Sequence, residues 1–291
     1  MKKKVMLTFS TLLLILVAAT VSSCCKKQDG GCDKQQTSTC QCCKKQDTPC
    51  KEQTEKRACC KNAAQTAANN SQFVMLTDAV PDAILEIRYF GTYNFVGCRI
   101  DGYLEPTALL TKEAADSLRA VSDDVVSQGY RLKIYDAYRP QCAVDHFVRW
   151  AADVKDTNMK QYFYPDLDKS VLFKQDYIMA KSGHTRGSTV DLTLFDMKTE
   201  KELDMGGTFD WFGPESHPDF CGNPETGQFT GDNSKSPTGR SITPEQFAHR
   251  MILRKAMLRH GFKPLSSEWW HFTLKDEPFP DTYFTFPVQQ L

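Results

Sequence analysis

Apolar and polar positions divide the 291-residue chain into three stretches of different texture. Residues 1–23 open on Lys2-Lys3-Lys4, continue as an apolar run from Val5 to Ala19 and end on Val21-Ser22-Ser23, the layout of a secretory signal peptide. That run is too short for a comfortable transmembrane span. Residues 24–70 have almost no large apolar side chains and so cannot form a core. From residue 71 to 291 the pattern becomes periodic, and that is where a folded domain is expected.

Within the domain, Ala83–Tyr89 reads as a strand. Thr111–Gln128 places Ala114, Leu118, Val121 and Val125 on one face and stops before Gly129, the pattern of an amphipathic helix. Arg131–Tyr135 alternates as a strand does, and Pro140–Val154 reads as a helix that starts on its proline. Thr189–Leu194 and Trp269–Leu274 are β-branched or aromatic runs of strand type. Thr243-Pro244-Glu245-Gln246 announces a helix with a capping box, whose apolar face is expected to carry Phe247, Met251 and Leu258 until Gly261 ends it. Between them, residues 205–242 are irregular, and Gly222–Gly239 forms a loop of Gly, Pro, Asn, Ser and Thr, long enough to be either functional or mobile. Strands and helices without regular βαβ alternation predict a single α+β domain.

Charge and cysteine usage sharpen this division. The whole chain is neutral, but the signal segment carries +3 and residues 24–70 carry +4, which leaves the domain at −7. Such a domain has no basic footprint, and nucleic-acid binding is excluded. Nine of the twelve cysteines lie in residues 24–70, and Cys24-Cys-Lys-Lys-Gln-Asp29 recurs as Cys42-Cys-Lys-Lys-Gln-Asp47, with Cys59-Cys-Lys61 beginning a third copy. The stretch reads as a tether. Its thiols either capture soft metals or form disulfides, or the repeat is a spacer that grew by duplication. Cys24 directly follows two small residues and resembles a bacterial lipobox, which implies acylation at Cys24, a lipid anchor in a bacterial membrane and an address on its outer side.

The chemistry concentrates in Ser182-Gly-His-Thr-Arg-Gly-Ser-Thr-Val-Asp191 and Glu268-Trp-Trp-His271. A hydrolytic zinc keeps three protein ligands, usually imidazole nitrogens and a carboxylate oxygen, and leaves a place for a water whose pKa falls to about 7. His184, Asp191 and His271 fill the three places for one zinc ion per chain. The water needs a base close to the metal but not bound to it, which is Glu268. Gly183 and Gly187 argue for a loop carrying His184 that runs into a strand carrying Asp191. Glu268 and His271, three residues apart, would face opposite ways on an unbroken strand, so Glu268 belongs in the turn before it.

These motifs, with Asp136-Ala-Tyr-Arg-Pro140, Phe209-Asp-Trp-Phe212, Ser216-His217 and Asp276-Glu-Pro, stand in the order and at spacings similar to those of the D-alanyl-D-alanine dipeptidases, zinc peptidases of bacterial cell-wall metabolism. The resemblance covers residues 72–291. It implies an α+β domain with a central antiparallel sheet flanked by helices and zinc on the sheet, and hydrolysis of D-alanyl-D-alanine, a small dipeptide substrate. It further implies that Arg139 stabilises the oxyanion, that Asp210 and Ser182 hold the substrate ammonium, and that Tyr89 lines the pocket. From the residues alone, Arg139 would by default pair with Asp136 at a helix start, Asp210 would cap or close a loop, and Tyr89 is equally a core aromatic. Gly183 departs from the family, in which a second Ser is common there. His146, His249 and His260 read as structural, and His217 as a support for the site. Two other functions stay open: a D,D-carboxypeptidase acting on peptidoglycan stems, and a non-enzymatic metal-binding lipoprotein centred on the cysteine repeats. No feature of the sequence fixes an oligomeric state.

Overall fold

A computed structural model describes residues 70–175 and 177–291. The expected signal peptide, Cys24 and the cysteine repeats lie outside the described residues. Among the described residues no helix is long and apolar enough to cross a membrane.

The elements follow in the order β1 (Phe73–Met75), α1 (Leu76–Ala79), β2 (Ile84–Leu85), β3 (Leu109–Thr111), α2 (Lys112–Ser127), β4 (Tyr130–Asp136), α3 (Gln141–Ala152) and α4 (Lys160–Phe163). The second half contains β5 (Thr189–Asp196), β6 (Lys201–Glu202), β7 (Gly222–Asn223), β8 (Gln228–Phe229), α5 (Pro244–Arg259), β9 (Phe262–Pro264) and β10 (His271–Leu274). The main sheet has the order β2-β4-β5-β10-β9, with β6 folded back on β5. It is mixed, which corrects the expected antiparallel sheet. β4, β5, β10 and β9 pair antiparallel, but β2 joins β4 in parallel. The reason lies in the connection, since the chain leaves β2, crosses through β3 and α2 and re-enters the sheet in the same direction. The expected strand Ala83–Tyr89 contributes only Ile84–Leu85 to the ladder, and beyond it Glu86 and Arg88 still donate their N–H groups to Ile134 and Tyr135.

Hydrophobic periodicity located the three long helices, and the short α1 and α4 carried no such signal. The buried face of α2 is Ala114, Ala115, Leu118, Val121 and Val125. Thr111 stands at its N-cap without capping it, because the Thr111 hydroxyl is 2.8 Å from that of Ser188. Pro140 precedes α3 instead of opening it. In α5 the capping box forms as expected: Thr243 Oγ1 accepts from Gln246 N at 3.2 Å, and Gln246 Oε1 accepts from Thr243 N at 2.8 Å. Leu258, however, is only half-buried, whereas Leu253, Ala256 and Met257 are buried. α5 is covered on two sides: these three side chains enter the main core, while Phe247 and Met251 join a second cluster with Phe220, Cys221 and Ile242. The irregular segment 218–242 therefore has a small core of its own, and β7 and β8 form a short hairpin inside it.

One glycine is demanded by the fold. Gly187 ends the turn that carries His184 with φ at +82°, and a Cβ there would stand 2.4 Å from the Phe73 ring. Left-handed backbone and a rigid ring both exclude a side chain. Gly187→Ala should lower the unfolding free energy by roughly 2–4 kcal/mol, seen as a reduced urea midpoint at unchanged m-value.

Candidate metal centre

Strand register assembles the site. β10 pairs with β5 so that His271 faces Asp191, and β4 pairs with β5 so that Asp136 faces Asp191. The second pairing needs an irregularity between Ile134 and Asp136, a bulge that shifts the end of β4 and brings its carboxylate beside that of β5. The remaining histidine arrives from a 3-10 turn, Gly183–Arg186, rather than a loop without helical character. Ser182 caps that turn by accepting from His184 N at 3.3 Å, and Arg186 fastens it to Glu277 through two contacts of 2.7 and 2.8 Å.

His184 Nδ1 lies 2.7 Å from the carbonyl oxygen of Ala137, which can only accept, so Nδ1 carries the proton and Nε2 is left as the free donor atom. Nε2 is 3.1 Å from Asp191 Oδ2 and 3.3 Å from His271 Nδ1, and His271 Nδ1 is 3.0 Å from Asp191 Oδ1. One ligand atom from each of the three residues lies within 4.8 Å of the others. Asp191 Oδ1 is buried without an aligned hydrogen bond. Two imidazole nitrogens and a buried carboxylate oxygen that lacks a donor of its own make a set that fits a cation. Burial by itself would raise the Asp191 carboxyl, but His184 and His271 outweigh it and hold Asp191 well below the usual carboxylate range. His271 moves the other way: burial lowers it, while bonds to Asp191 and Glu268 lift it to about 9 in the metal-free protein.

Glu268 sits in the turn before β10, as the odd offset required, about one-third exposed and with Oε2 3.4 Å from His271 Nδ1. Arg139 pairs with Asp136, the default reading of it, and its far end lies beside Asp191. Its Nε donates to Asp136 Oδ2 at 2.8 Å, and its Nη2 reaches to 3.5 Å from Asp191 Oδ2. Its guanidinium lies over the rings of Tyr89 and Phe147, at 4.9 and 5.2 Å. Asp136, quoted in the sequence motif only as a bland partner for Arg139, is a hub: it also accepts from Tyr103 at 2.6 Å and lies 3.6 Å from His184 Nδ1. Burial raises its carboxyl, with Arg139 and His184 opposing. Tyr103 was missed altogether, because a Tyr in a Gly-rich loop carries no local signal for a partner 33 residues away.

Asp210 is buried at a left-handed φ of +62°. Tyr89 donates to its two oxygens at 2.9 and 3.2 Å. No cation bonds to it among the described residues, and burial followed by repulsion from Asp191 pushes its carboxyl well above the usual range. Tyr89 is thus a core aromatic, packed on Phe95, Tyr103, Phe147 and Phe209, whose hydroxyl serves Asp210. Ser182 is half-buried, and among the described residues no hydrogen bond joins it to Asp210. Ser216 holds the residue next to Glu268, its carbonyl accepting Trp269 N–H at 2.8 Å. His146, His249 and His260 bond to Asp101, Asp204 and Asp124, away from the metal ligands.

Three donor groups, on β5, on β10 and on the turn before β5, with the Glu268 carboxylate and the Arg139 guanidinium beside them, have the make-up of a hydrolytic metal centre. The profile of the M15 peptidase family, described as D-ala-D-ala dipeptidase, matches residues 69–289. A D-alanyl-D-alanine dipeptidase of Enterococcus faecalis is 35% identical over 74% of this chain and 98% of its own length. One of Streptomyces coelicolor is 36% identical over the same shares, and one of Escherichia coli is 31% identical over 71% of this chain and 86% of its own. The chain belongs to the D-Ala-D-Ala dipeptidase family, and it is a metallopeptidase.

The raised His271 sets a pH dependence. A histidine whose folded pKa exceeds its unfolded value of about 6.5 adds stability below that pH and loses it as pH rises through the folded value. Metal-free protein should therefore lose on the order of 2–3 kcal/mol between about pH 6.5 and 9, measured as a falling unfolding free energy in chelator. A His271→Gln variant should show a flatter profile.

Proposed function

We propose that the domain is a zinc dipeptidase that hydrolyses D-alanyl-D-alanine to two D-alanines, with His184, Asp191 and His271 holding one zinc ion. The family and the relatives' names support the substrate. The observation that carries the residue assignment is the convergence of two imidazoles and a buried carboxylate beside Glu268 and Arg139.

Bound zinc would supply Lewis acidity to the reacting water and carbonyl. Glu268, partly exposed and 3.4 Å from a ligand, takes a proton from the attacking water and passes it to the departing amine. Arg139 is oriented by Asp136 and stacked on Tyr89, so its free end stabilises charge that collects on the carbonyl oxygen in the transition state. Asp210 is a buried carboxylate held by a neutral hydroxyl, and a substrate ammonium is the partner that restores its charge balance. Ser182 Oγ accepts one backbone N–H and has a second lone pair to accept from the substrate ammonium. A blocked amine removes the cation that Asp210 needs, which is the basis for preferring free dipeptide over peptidoglycan stems.

D-alanine release is the test, from free D-Ala-D-Ala, its N-acetylated form and a stem pentapeptide. Free dipeptide should be the substrate, and Glu268→Ala should lower kcat by about 10²–10⁴-fold while zinc stays bound. Asp210→Asn should raise KM for the free dipeptide more than for the acetylated one. Release mainly from the longer substrates would replace this reading with a carboxypeptidase.

The first 70 residues support a second part of the reading: export, cleavage before Cys24 and lipid anchoring by that cysteine, with the domain in the periplasm or at the cell exterior. Wild type should take up labelled palmitate and sediment with membranes, and Cys24→Ala should do neither.

A further inference from the structure

A guanidinium stabilises a developing oxyanion only where it is held still, and Asp136 is the group bonded to Arg139. That carboxylate is itself clamped from two sides. Arg139 Nε donates to its Oδ2 at 2.8 Å, and the Tyr103 hydroxyl, from 33 residues earlier in the chain, donates to its Oδ1 at 2.6 Å. Tyr103 and Asp136 are both buried, and a buried carboxylate oxygen deprived of its donor is costly. Burial, and then the Asp136 charge, push the Tyr103 hydroxyl well above its usual range, so it keeps its proton and donates. The Tyr103 ring packs on that of Tyr89 at 5.8 Å, and the Tyr89 ring lies 4.9 Å from the Arg139 guanidinium. Tyr103 therefore supports both the bonded partner and the stacking partner of Arg139.

The backbone around Tyr103 is fixed as well. Tyr103 forms a parallel bridge to Val288, in which Val288 N donates to Gly102 O at 2.8 Å and Leu104 N donates to Val288 O at 3.0 Å. Gly102 has a φ of +84°, and a Cβ there would stand 2.6 Å from Pro140 Cγ, so this loop lies against the residue that follows Arg139. The same terminal segment reaches the other parts of the site. Phe284 N donates to Thr185 O at 2.9 Å, in the turn that carries His184, and Phe284 O accepts Gln141 N at 3.2 Å. Phe286 O accepts the Tyr138 hydroxyl at 2.8 Å. Residues 284–288 thus join the turn of His184, the chain on both sides of Arg139 and the loop of Tyr103.

We propose that Tyr103 is a positioning residue for the reaction, fixing the Arg139 guanidinium by holding the free oxygen of Asp136. This rests on the oxyanion role given to Arg139 above. An Asp136 carboxylate bonded at one oxygen only is free to turn, and the guanidinium bonded to it turns with it. The loss falls on kcat, because full charge on the carbonyl oxygen exists only in the transition state.

The test uses the full-length, zinc-loaded protein and free D-Ala-D-Ala. Tyr103→Phe keeps the ring on Tyr89 and removes only the hydroxyl. It should lower kcat about 10–100-fold, with KM and zinc content unchanged. In an Arg139→Ala background the same substitution should have no further effect, because the hydroxyl acts through the guanidinium. With Arg139→Ala itself impaired, three results would overturn the positioning role of Tyr103 and leave Arg139 in place: wild-type kcat in Tyr103→Phe, a rise in KM with kcat retained, or a second loss of full size in the Arg139→Ala background. Wild-type kcat in Arg139→Ala would instead remove the oxyanion reading, and the role of Tyr103 with it.

Discussion

The pairing of β5 with its two neighbours is the constraint on which the rest of the structure depends. β5 is buried along most of its length and meets β4 on one side and β10 on the other. Side chains alternate along a strand, so a slip of one residue would turn Asp191 away from His271 and place apolar groups in the site. Hydrophobic burial of Val190, Leu192 and Leu194, all on the opposite side of the pleat from Asp191, fixes that register. Core packing thereby sets the spacing of Asp191 and His271.

Three carboxylates lie buried in or beside this site, and each is tolerated for a different reason. Asp191 is held by two imidazoles, Asp136 by Arg139, Tyr103 and His184, and Asp210 only by the Tyr89 hydroxyl. Asp210 alone has a neutral partner as its bonded neighbour, which marks the place where a cation arriving from outside contributes most. Arg139 bridges the network, bonded at one end and free at the other.

The long segment between β5 and α5 acts as a brace. Trp211, Glu215 and Ser216 lock it internally, and Ser216 passes that rigidity to Trp269 beside the base. Arg186 and Glu277 do the same for the turn that carries His184, while Gly187 lets that turn close against Phe73. The position of Gly183, where the family often has Ser, is already close: a Cβ there would stand 3.0 Å from the Thr189 hydroxyl.

Local chemistry made the His184, Asp191 and His271 cluster, the turn position of Glu268, the capping box of α5 and the approximate extent of the long helices legible in the sequence, because imidazoles, carboxylates, capping residues and periodicity act over a few residues. The motif order supplied Arg139 and Asp210, which spacing alone left open. Tertiary structure decided what depends on partners far along the chain: the parallel entry of β2, the second buried side of α5, Tyr103 beneath Asp136, and Tyr89 as the hydroxyl that holds Asp210. It also placed Arg139 against both Asp136 and Asp191, since these two become neighbours only when a bulge in β4 lets two strands align. A sequence states which groups are present, but the free energy of a buried charge depends on what folding places around it.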